Sequence, residues 1–200
     1  MKKIGLYFGT FNPIHVGHLI IANYMADYTD LDEIWLIVSP QNPLKKKESL
    51  LADYHRLSLV RVGIESNTKL KASDIEFNLS KPSYTVHTLI HLKEKHPSYH
   101  FNLIMGADNL RSFHKWKNHD AIIKEHRIYV YPRILTEQEI NDKTNMMKPM
   151  FEHENIIHCD APMMKISSSF IRKAIKNKKD VQYLLTEPVH KYVDEMNFYK

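Results

Sequence analysis

The chain has a single cysteine, Cys159, so neither an intrachain disulfide nor a cysteine-based zinc cage can form within it. That usage suits a reducing cytoplasm, and Cys159 itself reads as a small buried residue. No uninterrupted apolar run approaches the roughly 20 residues needed to span a bilayer, so a soluble protein without a membrane partner is expected. A signal peptide is not expected either. The start, Met1-Lys2-Lys3 followed by Ile4 to Phe8, stops at Gly9-Thr10-Phe11-Asn12-Pro13 without a small-residue cleavage site, and reads as a first strand. Repeats at solenoid spacing and low-complexity linkers are absent. So is the composition of a disordered chain, since 43% of residues are hydrophobic and 26% charged. With 200 residues, one domain over 1–200 is the default.

The charge is unbalanced, with 28 Lys and Arg against 23 Asp and Glu, a formal net charge of +5. An anionic partner follows, though charge alone does not distinguish nucleic acid, membrane or phosphorylated metabolite. Against nucleic acid, the positive charge is scattered among acidic residues and no recognised binding motif accompanies Lys45-Lys46-Lys47. The thirteen histidines form no tract, and His91, His96 and His100 read as solvated or packing residues. His15-x-x-His18 also lacks the i, i+4 spacing of the familiar helical zinc motif.

Short apolar runs at Ile4–Phe8, Ile34–Val38, Phe101–Met105 and Ile128–Tyr131 alternate with helix-compatible segments at His18–Tyr28, Ala52–Glu65 and Thr85–Lys95. Further strands are expected near Ala72–Phe77 and Asn155–Cys159, and 135–154 reads as a helix followed by a loop. Ile166-Ser167-Ser168-Ser169 can cap a helix running through Phe170, Ile171, Ala174 and Ile175, and a last helix follows Pro188 with Val189, Val193 and Met196. The alternation predicts an α/β fold: a doubly wound, Rossmann-like domain with a mostly parallel sheet and C-terminal helices.

In open α/β sheets ligands bind beyond the carboxyl ends of strands. After the first strand come Gly9-Thr10-Phe11-Asn12-Pro13-Ile14-His15-Val16-Gly17-His18. Gly9 allows close backbone approach, Pro13 fixes the turn, and Gly17 lets a helix begin beside the ligand with its amides free. His15 and His18 can both donate hydrogen bonds to phosphate oxygens. This decapeptide resembles the HxGH signature of the nucleotidyltransferase superfamily. Ile166-Ser167-Ser168-Ser169-Phe170-Ile171-Arg172 is similar to its second signature, in which hydroxyls and amides at a helix start, with a forked arginine, suit a triphosphate.

Three more segments resemble nicotinate-nucleotide adenylyltransferases, so the likeness covers nearly the whole chain. In Ser39-Pro40-Gln41-Asn42-Pro43-Leu44-Lys45, Lys45 matches a lysine near the reacting phosphates, while Asn-Pro-Leu-Lys departs from the family's Pro-Pro-His-Lys. In Lys81-Pro82-Ser83-Tyr84-Thr85-Val86-His87-Thr88-Leu89, Thr85 opens a helix whose amides can receive a carboxylate, and His87 replaces a frequent aspartate without assigned chemistry. In Leu103 to Trp116, Gly106 and Asp108 fall at a strand end. The resemblance implies that Asp108 contacts the adenylate ribose and that Trp116 stacks on a pyridine ring.

The resemblance thus implies ATP and nicotinate mononucleotide as partners, with magnesium accompanying ATP, and leaves a homo-oligomer open. His15, His18, Lys45 and Arg172 are the expected catalytic donors. Gly9, Thr10, Phe11, Gly106, Asp108, Ser168 and Ser169 join His15, His18 and Arg172 around ATP. Asn12, Lys45, Tyr84, Thr85 and Trp116 are expected around the acceptor. A phosphopantetheine adenylyltransferase would share both phosphate motifs but would not explain the Tyr84-Thr85 and Asp108-to-Trp116 segments together.

Overall fold

The computed structural model describes residues 1–40, 50–80, 82–133 and 152–200. Strands β1 (Lys2–Gly9), β2 (Glu33–Val38), β3 (Leu70–Ser73), β4 (Tyr99–Gly106), β5 (Ile128–Tyr131) and β6 (Ile156–His158) form one sheet in the order β3-β2-β1-β4-β5-β6. Every pairing is parallel, with Tyr7 opposite Leu36 on one side and Ile104 on the other. The described helices are α1 (Val16–Tyr28), α2 (Asp53–Ile64), α3 (Thr85–Lys95), α4 (Ala107–Arg111), α5 (His119–Glu125), α6 (Ser168–Lys176) and α7 (Glu187–Glu195).

A parallel sheet must be covered on both faces, and the strand alternation divides the core accordingly. Ile34, Leu36 and Val38 of β2 join Tyr7 of β1 in a layer with Ile21 and Met25 of α1, Leu59 and Val60 of α2, Ile171 of α6 and Val189 and Val193 of α7. Ile37, Ile4 and Leu6 face the other way, against Val86, Leu89 and Leu92 of α3 and Ile122 and Ile123 of α5. This is the doubly wound, Rossmann-like arrangement the alternation predicts, with the strand order reversing between β1 and β4.

Most boundaries fall within a residue or two of those expected, but the strand expected over Ala72–Phe77 ends early. β3 stops at Ser73, and Ile75–Asn78 turn into a 3₁₀ helix that carries Glu76 inward, where its Oε1 accepts a 2.8 Å hydrogen bond from Thr88 Oγ1. Local alternation cannot register a side chain captured by a helix twelve residues on. The last helix begins at Glu187, one residue before Pro188, which sits in the first turn where its missing amide hydrogen is not needed. The helix and loop expected over 135–154 fall largely outside the described residues.

Candidate active site

At the reversal of strand order, the chain leaves β1 and β4 toward opposite faces, opening a crevice beyond Gly9 and Gly106. The turn after β1 fills most of its own space. Phe11 adopts a left-handed backbone with φ of 45° and is 1% exposed, and its ring lies so close under Gly9 that a Cβ there would sit 2.8 Å from Phe11 Cζ. Gly9 therefore makes room for Phe11. The Phe11 ring in turn meets His18 edge-on at 5.1 Å between centroids and Tyr7 at 5.9 Å.

His15 occupies the N-cap position of α1 in extended conformation, with no side-chain cap of its own, and its carbonyl accepts from the amides of His18 and Leu19. Its ring stacks on His18, centroids 3.7 Å apart and planes 24° from parallel. Burial to 4% exposure pushes its pKa down to about 4, so the free protein holds it neutral at pH 7. Its Nδ1 is buried without a hydrogen-bond partner among the described residues.

The second motif closes against this turn from 155 residues away. Its three serines act separately. Ser167 caps α6 by accepting from the Phe170 amide, Ser168 Oγ donates to the Pro13 carbonyl at 2.9 Å, and Ser169 Oγ accepts from Arg172 Nη2 at 3.3 Å. Arg172 Nη1 donates to the Asn12 carbonyl at 2.8 Å. The Asn12 side chain is buried, its Oδ1 accepting from Tyr199 Oη and the Leu51 amide. Asn12, expected at the acceptor, thus serves inside the turn.

Beyond β4, the carboxylate of Asp108 folds back over Gly106, where any Cβ would collide with Oδ1. Oδ2 accepts a short charge-assisted hydrogen bond from Arg133, at the end of β5, while Oδ1 is buried and unpartnered among the described residues. α3 starts at Thr85 with Tyr84 at its cap, as the sequence indicated, leaving the first amides without intrahelical acceptors. Trp116 is half-buried on the Phe113 ring, centroids 5.5 Å apart. Lys45 and the altered loop around it lie outside the described residues.

The profile of the cytidylyltransferase-like family matches residues 6–174. A probable nicotinate-nucleotide adenylyltransferase of Flavobacterium psychrophilum is 59% identical over 99% of both chains. Another from Christiangramia forsetii is 57% identical over 100% of this chain and 99% of its own. The chain belongs to the nicotinate-nucleotide adenylyltransferase family. It is a nucleotidyltransferase. The fold agrees with that of Plasmodium falciparum nicotinic acid mononucleotide adenylyltransferase complexed with NaAD, at a TM-score of 0.77 and 22% identity over 100% of this chain and 98% of that one.

Within this adenylyltransferase scaffold, two arginines escaped sequence reasoning. Arg56 of α2 is fully buried and reaches the carbonyls of Thr10 (2.6 Å), Ser39 (2.9 Å), Leu51 (3.1 Å) and Pro40 (3.5 Å) as well as Asp53 Oδ1 (2.5 Å). Its place one helical turn before the buried Leu59 and Val60 is the signal that could have found it. Arg133 had no local signal, because only the pairing of β4 with β5 brings it to Asp108. Of two clefts of about 330 and 620 Å³, one lies between α6 and α7 and one along α1, and neither is lined by His15 or His18. No helix among the described residues is long and apolar enough to cross a membrane.

Proposed function

We propose that the protein transfers AMP from ATP to nicotinate mononucleotide. An oxygen of the acceptor's 5′-phosphate attacks the α-phosphorus, the bond to the β-phosphate oxygen breaks, and nicotinate adenine dinucleotide and pyrophosphate result. The observation that carries this reading is the clamp of one phosphate motif on the other. Arg172 and Ser168 of α6 bond directly to the Asn12-Pro13 turn, which leads within a few residues to the stacked His15–His18 pair.

A phosphate monoester has a second pKa near 6, so the nucleophile is already mostly a dianion at neutral pH and a general base adds little. What the reaction needs is alignment of two repelling anions and neutralisation of charge on the α-phosphate and the departing pyrophosphate. His18, Arg172 and Lys45 are assigned to that neutralisation. His15, neutral when free, donates one hydrogen bond or becomes cationic as the triphosphate arrives beside it. The unpartnered Oδ1 of Asp108 suits a ribose hydroxyl, and Trp116 offers a face for the pyridine ring. Thr10, Gly9 and Phe11 contribute backbone shape, and Tyr84 and Thr85 contribute the start of α3. Magnesium, which keeps several of its waters, is assigned to the phosphates of ATP, entering with the substrate. The single cysteine and the phosphorylated substrates support a cytoplasmic setting for this chemistry.

Incubation with ATP and, separately, nicotinate mononucleotide, nicotinamide mononucleotide and phosphopantetheine tests this, reading product mass and pyrophosphate. Nicotinate adenine dinucleotide should dominate. His18→Ala should fold normally and lose about two to three orders of magnitude in turnover, the scale of a lost preorganised donor. Product formed only from phosphopantetheine, or a His18→Ala enzyme retaining most of its turnover, would reject the reading.

A further inference from the structure

We propose that Lys117, held over the first turn of α3 by His87 and Tyr84, is the side chain that selects a carboxylate-bearing pyridine acceptor over its amide, a role that rests on the acceptor reading above. Lys117 Nζ lies 3.3 Å from His87 Nε2 and 4.8 Å from the centroid of the Tyr84 ring. Tyr84 caps α3, and the His87 amide donates to the Tyr84 carbonyl at 2.9 Å, so the ammonium stands at the helix start itself.

That position is electrostatically unfavourable in the free protein, because the amino end of a helix already carries partial positive charge. Among the described residues no carboxylate offsets it: the contacts of the ammonium are the His87 ring nitrogen and the Tyr84 ring face, and it forms no ion pair. An anion between Lys117 and the helix amides relieves both repulsions. A second observation comes from Ser83, just before the cap, whose Oγ is buried in a residue only 9% exposed and has no hydrogen-bond partner among the described residues. A buried hydroxyl without a partner is a donor awaiting an acceptor.

The chemistry of the anion follows from the neighbour in sequence. Trp116 brings its ring platform one residue before the cation, so the same stretch of chain offers a flat apolar surface and a positive charge. A planar ring bearing a carboxylate satisfies both. The amide analogue presents no negative charge, and its nitrogen can only donate toward groups that themselves donate. Hydrogen bonds to ionised groups are about twice as strong as neutral ones, so the cation discriminates where helix amides alone do so weakly. His87 is a positioning residue: its Nε2 contacts Nζ without bringing the negative charge that an aspartate there would bring.

The experiment compares wild type, Lys117→Ala, Lys117→Arg and His87→Asp with both acceptor mononucleotides at saturating ATP. Lys117→Ala should raise KM for nicotinate mononucleotide about fivefold to tenfold, the range of an exposed charged hydrogen bond, with kcat, the KM for ATP and the use of nicotinamide mononucleotide little changed. Lys117→Arg should keep the selectivity, and His87→Asp should lose it by neutralising Nζ. Unchanged selectivity in Lys117→Ala, or equal loss with both acceptors, overturns the role of Lys117 while leaving adenylyl transfer intact. A wild-type enzyme that adenylylates neither mononucleotide overturns the acceptor reading and Lys117 with it.

Discussion

Burying an imidazole beside another imidazole makes its charge a matter of stability. His15 has a folded pKa of about 4 against an ordinary value of 6.5, because burial disfavours its charged form. Above pH 6.5 neither state is protonated there and nothing is lost. As the pH falls from 6.5 toward 4 the unfolded chain takes up the proton first, and stability declines. Between about pH 7.5 and about pH 5 the loss amounts to about 2 kcal/mol from this residue. Urea unfolding at those two pH values should show a smaller decline for His15→Asn than for wild type, and parallel declines would remove His15 as the cause. Lys117 belongs to the same scale: its position depends on one ring nitrogen and one ring face.

At the level of elements, the site is a set of loops tied to helices by side chains that leave no room for alternatives. Arg56 holds Thr10 after β1 and Ser39 and Pro40 after β2 from within α2, so two strand ends share one guanidinium. Arg56→Met should destabilise by about 3 kcal/mol, since it strands carbonyls and Asp53 around an apolar group. Turnover should fall more than the KM values rise, because alignment rather than contact is lost. Lys at the same position cannot reach all of these acceptors with a point charge and should restore only part of either quantity. Thermal or urea unfolding together with steady-state kinetics on both variants checks this, and a stable, fully active Arg56→Met protein would show that the two loops hold themselves.

Across the whole molecule, distant parts of the chain converge on Asn12. Tyr199 Oη donates to Asn12 Oδ1 at 2.8 Å across 187 residues, and neighbouring Phe198 packs its ring on His55 of α2 with centroids 4.7 Å apart. The final turn thus buttresses the Asn12-Pro13 turn from outside, alongside Ser168 and Arg172. Tyr199→Phe removes one hydrogen bond and should cost about 1 kcal/mol of stability, with a higher KM for ATP. Differential scanning calorimetry and ATP titration should show both effects, with saturating ATP recovering part of the lost stability because it binds only the folded protein. An unchanged melting temperature and KM would mean that Asn12 is held without Tyr199.

Which segments become strands and which become helices was legible in the amino-acid order, because periodicity and caps are local: β2 needs only the run Glu33–Val38, and α3 starts where Tyr84 and Thr85 stand. The two family signatures were legible too, since each is a contiguous run of residues, 9–18 and 166–172. Where each of those residues sits, and what it touches, was settled only by the folded chain. Phe11 and Asn12 sit within the motif yet turn inward, because the left-handed turn and the Tyr199 contact leave no other place for them. Arg133 meets Asp108 only through the pairing of β4 with β5, and Glu76 leaves the expected strand only because Thr88 of α3 is there to bind it. These contacts join residues far apart in the chain, so their energies come from packing and burial that no local window of sequence contains.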